Sequence, residues 1–177
     1  MERVKKLVLE NGAMDYIVVT DPQEAADIWK VRGALVKAVE AVSEQEPVDI
    51  VVPISHTADF TAYINALEAK TGMRMVSFGH AGDGNVHLCV VRDGRSEEVW
   101  KKELHDNMSQ AYAKAYEFGG VASGEHGIGI TKRPYFLHET AKANLVVMNQ
   151  IKDALDPKHI LNDQKSYIVK NFDMELG

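Results

Sequence analysis

Apolar residues along the chain follow two spacings, one typical of strands and one typical of helices. Short apolar runs predict strands at residues 15–20 (DYIVVT), 49–53 (DIVVP), 73–78 and 85–91 (NVHLCVV). Apolar residues spaced three or four apart predict helices over residues 4–10, 22–42, 57–71, 96–118 and 139–155. The second helix has a clear start, because Asp21 is a suitable N-cap and Pro22 favours the first helical position.

This order of elements predicts an α+β fold. Strands alternate with helices, and the strands at 73–78 and 85–91 are joined by a short glycine-rich loop. We therefore expect a ferredoxin-like sandwich, with helices packed on a largely antiparallel sheet. The alternative is a doubly wound nucleotide-binding fold, but no glycine cluster has the G-x-G-x-x-G spacing between a strand and a helix. The length of 177 residues predicts one domain.

Composition removes several classes of partner. The formal net charge is −6, without a basic stripe, so nothing favours binding to nucleic acid or to an anionic membrane surface. No apolar run approaches the roughly 18 residues that a membrane span needs. Cys89 is the only cysteine, which rules out a disulfide within the chain and predicts a reducing, cytoplasmic location.

The segment FGHAGDGNVH, residues 78–87, holds two histidines around a glycine-rich turn. Side chains alternate along a strand, so Asn85, His87 and Cys89 share one face while the valines and the leucine between them face the core. The turn can fold back and bring His80 to the same side as His87. Two converging imidazoles indicate the start of a metal site.

A second glycine-rich segment, SGEHGIG at residues 123–129, offers a carboxylate and another imidazole. Glu125 would complete a set of two histidines and one carboxylate, which suits zinc, iron or manganese. His126 would then be available for proton transfer. The alternative is that these histidines only form hydrogen bonds in turns, and that Cys89 is a small buried residue.

Arg32 lies beside the apolar stripe of the second predicted helix, in the sequence IWKVR. It is either an exposed arginine whose stem covers apolar surface or a clamp for a substrate carboxylate. We predict that Trp29 and Trp100 belong to the core.

Three ordered segments resemble the C-terminal domain of FAD-linked oxidases, namely GHAGDGNVH (79–87), SGEHGIGITK (123–132) and IKDALDPKHILNDQK (151–165). This family includes D-lactate dehydrogenase, glycolate oxidase subunits and D-2-hydroxyglutarate dehydrogenase. The similarity covers nearly the whole chain, because IWKVR and DIVVP also fit the family's pattern.

The resemblance implies a role for each candidate residue. His80, His87 and Glu125 match divalent-metal ligands of 2-hydroxyacid dehydrogenases. His126 matches the histidine that takes the hydroxyl proton while hydride leaves the substrate C2 for the flavin. Arg32 matches an arginine that binds the substrate carboxylate. The residue types suit these roles, because a bound metal ion would acidify the substrate hydroxyl and a neighbouring imidazole would accept its proton.

The resemblance also implies that the chain is a substrate-side cap domain. Its FAD would be bound mainly by a separate FAD-binding domain that is absent from these residues. The electron acceptor would be an electron-transfer flavoprotein, an iron–sulfur subunit or a quinone. We therefore expect a fragment of a longer flavoprotein, inactive without that domain and able to form a homodimer through an unpaired strand edge.

Departures from the family's pattern narrow the substrate. Cys89 replaces an asparagine that contacts substrate in hydroxyglutarate-type members, and Val36 and Pro47 replace further polar contacts. We expect Asn85 and Cys89 to contact a smaller 2-hydroxy acid such as D-lactate or glycolate. Two other classes stay open: a metal-dependent hydrolase using the same ligands, and a non-catalytic interaction module.

Overall fold

The computed structural model describes residues 1–162 and 165. The chain divides into two compact units, Met1–Ala41 and Val42–Gly177. The first unit contains three helices joined by segments without regular secondary structure, whereas the second contains the sheet. No helix in the described part of the chain is long and apolar enough to cross a membrane.

The first unit has three short helices, α1 (Glu2–Glu10), α2 (Pro22–Gly33) and α3 (Leu35–Glu40). The start of α2 is as predicted, because the Asp21 carboxylate accepts the backbone N–H of Glu24 at 2.8 Å. The single helix predicted over residues 22–42 is wrong. Helix α2 ends at Gly33, because glycine has the lowest helix propensity of any residue except proline, and the short helix α3 follows.

Two other predictions for the first unit are wrong. Residues 15–20 form no strand, because no described strand pairs with them. Trp29 is 67% exposed rather than in the core, and the Arg32 guanidinium lies 5.9 Å from the centre of its ring. None of the residues of the three helices is buried, so this unit has no core of its own.

The second unit is built on an antiparallel sheet of β1 (Gln45–Val51), β2 (Met75–His80) and β3 (Asn85–Val91). Among the described residues the strand order is β1-β3-β2. Both pairings are antiparallel, which confirms the predicted α+β class and excludes a doubly wound parallel sheet. β1 begins four residues earlier than predicted.

The α-helices in the described part of this unit are α4 (Thr57–Thr71), α5 (Glu97–Glu117), α6 (Arg133–Glu139) and α7 (Lys142–Leu155). The order β1-α4-β2-β3-α5, with β3 between the other strands, matches the first five elements of the ferredoxin-like β-α-β-β-α-β pattern. After α5, Val121 forms an isolated antiparallel bridge with Val51. Helix α6 was not predicted, and Asp163 and Gln164 of the third family segment lie outside the described residues.

The core lies between one face of the sheet and helices α4 and α5. Alternate strand residues such as Ile50, Leu88 and Val90 pack with Phe60 of α4 and with residues of α5. Trp100 is 6% exposed, which confirms its predicted place in the core. Because side chains alternate, this burial leaves the opposite face of β1 and β3 for other residues.

The turn between β2 and β3 depends on glycine at Gly84. Its φ is +79°, and a Cβ there would lie 2.0 Å from the carbonyl oxygen of Val52. The carbonyl oxygen of Gly84 also accepts the backbone N–H of Val52 at 3.0 Å, so moving Gly84 away would break this hydrogen bond. A Cβ added to Gly82, in the same turn, would meet only open space.

We expect Gly84→Ala to lower the free energy of unfolding by more than the roughly 1–3 kcal/mol that an unfavourable backbone conformation alone costs. Gly82→Ala is the matched control and should leave it unchanged or raise it by up to about 1 kcal/mol. Urea denaturation followed by circular dichroism measures both. Equal effects of the two substitutions would contradict this account of the turn.

Candidate functional site

The β2–β3 hairpin brings two histidines together. His80 is the last residue of β2, and His87 is the third residue of β3. Their ring centres lie 5.2 Å apart with the planes nearly perpendicular. Close packing within the hairpin needs Gly79, because a Cβ there would lie 2.2 Å from the carbonyl oxygen of Asn85. The turn therefore brings His80 and His87 together, as the sequence predicts.

The second glycine-rich segment places Glu125 against both imidazoles. Its Oε1 lies 3.3 Å from His87 Nε2 and 3.6 Å from His80 Nε2. The same oxygen lies 3.8 Å from Nε2 of His126, whose ring stacks on His87 at 5.2 Å. Three ring nitrogens therefore face one carboxylate oxygen.

A buried carboxylate that sequence analysis missed holds this loop in place. Asp49 of β1 is 0% exposed. Its Oδ2 accepts the backbone N–H groups of Gly124 (3.0 Å), Glu125 (3.1 Å) and His126 (2.9 Å). It also accepts the Ser123 hydroxyl at 2.8 Å. One side chain thus fixes the path of the loop that presents Glu125 and His126.

Lys132 closes this buried network. Its Nζ donates to Ser123 Oγ at 2.9 Å and lies 3.4 Å from Asp49 Oδ2, and its side chain is 8% exposed. Burial alone would raise the pKa of Asp49, but the N–H of His126, the Ser123 hydroxyl and the Lys132 charge outweigh it and hold that pKa well below its usual range. Asp49 is therefore ionised in the folded protein.

Burial also affects His87, whose side chain is 13% exposed. Loss of solvent lowers the pKa of His87, and the neighbouring imidazoles act in the same direction against the attraction of Asp49 and Glu125. The ring is therefore neutral at neutral pH. A neutral imidazole keeps a lone pair on one nitrogen, which metal binding requires.

Among the described residues, His80, His87 and Glu125 form one of two groups that could hold a metal ion. In each group the candidate ligand atoms all lie within 4.8 Å of one another. The other group consists of Asp49, His87 and His126. Asp49 is 0% exposed, whereas the side chains of His80 and Glu125 are 36% and 53% exposed, so the first group is the more accessible to an ion. Two nitrogens and one oxygen suit zinc, iron or manganese.

The other three predicted site residues are Asn85, Cys89 and Arg32. Asn85 is buried beneath the second loop, where a Cβ on Gly124 would lie 2.8 Å from its Nδ2. Cys89 is 2% exposed and lies on β3 opposite Pro47, two residues beyond His87. Arg32 belongs to the first unit. Contact of these three residues with substrate stays a prediction.

Signals for the missed residues were present but weak. Asp49 interrupts the apolar run PVDIVVP (47–53), and a charge inside a short strand indicates a buried partner. Its partners could not be named without the strand register, which sets it opposite His87. Lys132 ends SGEHGIGITK, but nothing local distinguishes it from an exposed lysine.

An antiparallel α+β unit with two glycine-rich histidine segments on one sheet face is the arrangement expected above for the C-terminal domain of FAD-linked oxidases. Residues 1–166 match the family model for the C-terminal domain of FAD linked oxidases. The chain belongs to this family.

Curated relatives agree with the family. The chain is 42% identical over 166 residues to a D-lactate dehydrogenase of Anaerostipes hadrus, covering 93% of this chain and 35% of the relative. It is 34% identical to a D-lactate dehydrogenase of Archaeoglobus fulgidus (93% and 36%) and 30% identical to the glycolate oxidase subunit GlcD of Bacillus subtilis (94% and 36%). The chain spans about a third of the length of these relatives.

The Asp49 network predicts how stability changes with acid. Because its folded pKa lies below the unfolded value of about 3.9, its contribution is complete above that value and is lost as pH falls towards the folded pKa. We expect Asp49→Asn to lower the free energy of unfolding at neutral pH, and the difference from wild type to shrink below about pH 4.

Urea denaturation at a series of pH values measures this difference. Asp59→Asn is the matched control, because the Asp59 side chain is 68% exposed and should follow wild type closely. A constant gap between Asp49→Asn and wild type across the acid range would contradict the assignment.

Proposed function

We propose that this chain is the substrate- and metal-binding domain of an FAD-dependent 2-hydroxyacid dehydrogenase of the D-lactate or glycolate class. The observation that carries the proposal is the convergence of His80, His87 and Glu125 beside His126 on one face of the sheet. Family membership supports a flavin as the redox group. The chain's similarity to a D-lactate dehydrogenase and a glycolate oxidase subunit supports a small 2-hydroxy acid as substrate.

The three proposed ligands fit a divalent ion. His87 is neutral and nearly buried, whereas His80 and Glu125 have side chains 36% and 53% exposed, so the set is open on one side. A bound ion would supply Lewis acidity, which favours loss of the hydroxyl proton of a chelated 2-hydroxy acid. The residues themselves fix the ligand directions through the hairpin and the Asp49-bound loop.

His126 is the proposed proton acceptor. Its side chain is 54% exposed, and its Nε2 lies 3.8 Å from Glu125 Oε1, so it stands beside the ligand set. An imidazole titrates near physiological pH and can take the hydroxyl proton of the substrate. The backbone N–H of His126 is bound to Asp49 at 2.9 Å, which limits its movement.

The redox step needs a group held mainly by the rest of the protein. FAD, when bound, supplies the acceptor for the hydride that leaves C2, and the products are a 2-oxo acid and a reduced flavin. On this chain we propose Arg32 as the carboxylate clamp and Asn85 and Cys89 as substrate contacts. The electrons of the reduced flavin would pass to an electron-transfer flavoprotein or an iron–sulfur subunit. The proposed location of the protein is the cytoplasm.

The test uses this chain joined to an FAD-binding domain of the family. We expect D-lactate or glycolate to bleach the visible flavin absorbance without oxygen, and His126→Gln to slow that bleaching by about 10²–10⁴-fold, the usual share of a general base. His138→Gln is the control, because the His138 side chain is 82% exposed on α6.

The variants must keep their bound flavin and metal, measured by absorbance and by elemental analysis. Failure of a panel of small 2-hydroxy acids to reduce the flavin would contradict the proposed function. A wild-type rate in His126→Gln would contradict the role of His126 alone. Hydrolysis of an ester by the same protein, without flavin reduction, would favour a metal-dependent hydrolase.

A further inference from the structure

We propose that Asp49 is a positioning residue for the candidate metal centre, with a different task for each carboxylate oxygen. Oδ2 holds the loop that presents Glu125 and His126, and Oδ1 orients the imidazole of His87. The inference rests on the proposed function, because the nitrogen that Asp49 leaves available on His87 is the one expected to bind the ion.

The first task follows from the hydrogen bonds of Oδ2. This oxygen accepts three consecutive backbone N–H groups, from Gly124 to His126, at 2.9–3.1 Å. The loop also packs closely on β1, since a Cβ on Gly124 would lie 2.6 Å from Val51 Cγ2. The position of the Glu125 carboxylate is therefore tied to a residue of β1.

The second task follows from two buried atoms that face each other. Asp49 Oδ1 and His87 Nδ1 are both buried and lack a hydrogen-bond partner among the described residues. They lie 3.8 Å apart, because the strand register sets Asp49 directly opposite His87. A movement of less than about 1 Å would give a normal hydrogen bond, and buried polar atoms are nearly always paired.

This pairing selects one form of the imidazole. An ionised carboxylate can only accept hydrogen bonds, so His87 must carry its proton on Nδ1 to pair with Asp49. Its lone pair is then on Nε2, the atom 3.3 Å from Glu125 Oε1. Metal-binding histidines are commonly oriented in this way, with the second ring nitrogen donating to a carboxylate.

Asp49 is better explained as a support than as a ligand. Its side chain is 0% exposed, and Oδ2 is occupied by the loop. The available oxygen faces Nδ1 of His87, on the opposite side of the ring from Glu125. An ion bound to Nε2 would therefore not contact Asp49 directly, because the His87 ring would lie between them.

The first measurement is nitrogen-15 NMR of histidine-labelled, metal-free wild type at neutral pH. We expect the His87 signals, assigned by their loss in His87→Gln, to show a proton on Nδ1 and a lone pair on Nε2. A proton on Nε2 would overturn the proposal. This readout needs neither metal nor activity.

The second measurement compares Lys132→Met with the double variant Asp49→Asn/Lys132→Met. Removing Lys132 from both avoids leaving its buried charge without a partner. In the double variant the amide oxygen can still accept the loop, so the amide NH₂ faces His87. That group donates to Nδ1 and should move the proton to Nε2, whereas Lys132→Met alone should keep the wild-type form.

Zinc affinity of the same pair separates this proposal from the proposed function. We expect the double variant to bind zinc about 10–100-fold more weakly than Lys132→Met. Equal affinity and an unmoved proton would overturn the role of Asp49 even if wild type binds zinc. Absence of zinc binding in wild type would count against the metal centre, while the NMR result would still decide whether Asp49 orients His87.

Discussion

The site depends on the hydrogen bonds that the buried carboxylate of Asp49 accepts from the loop over β1. A charge with no solvent contact is costly unless donors replace the water, and here backbone N–H groups, a hydroxyl and an ammonium group do so. The backbone donors belong to the loop itself, so the hydrogen bonds that stabilise the charge of Asp49 also fix the position of Glu125. The loop would otherwise be a glycine-rich segment with little reason to adopt one path.

The sheet makes this arrangement possible because its two faces have different tasks. Alternate residues of β1 and β3 pack against α4 and α5, which leaves Asp49 and His87 together on the opposite face. The tight hairpin adds His80 from β2, and the bridge from Val51 to Val121 brings the second loop over the same face. Ligand candidates from distant parts of the chain therefore meet without any helix contributing one.

The sequence predicted the parts of this site that depend on local spacing. The face shared by Asn85, His87 and Cys89 follows from strand alternation, and the convergence of His80 follows from the glycine turn. The pairing of Asp49 with His87 could not be predicted, because it depends on strand register. In the first unit, the apolar pattern around Trp29 predicted burial that the unit does not provide. Periodicity shows which face is apolar but not what covers it.

The central claim is that His80, His87 and Glu125 bind one divalent ion, and a calorimetric titration tests it most directly. Chelator-stripped chain is titrated with zinc and with manganese beside His80→Ala/His87→Ala and a control, His105→Ala/His138→Ala, which changes two exposed histidines. The account predicts near-stoichiometric binding that the first double variant loses and the control retains. Absence of binding in wild type, or equal binding in all three proteins, would contradict it.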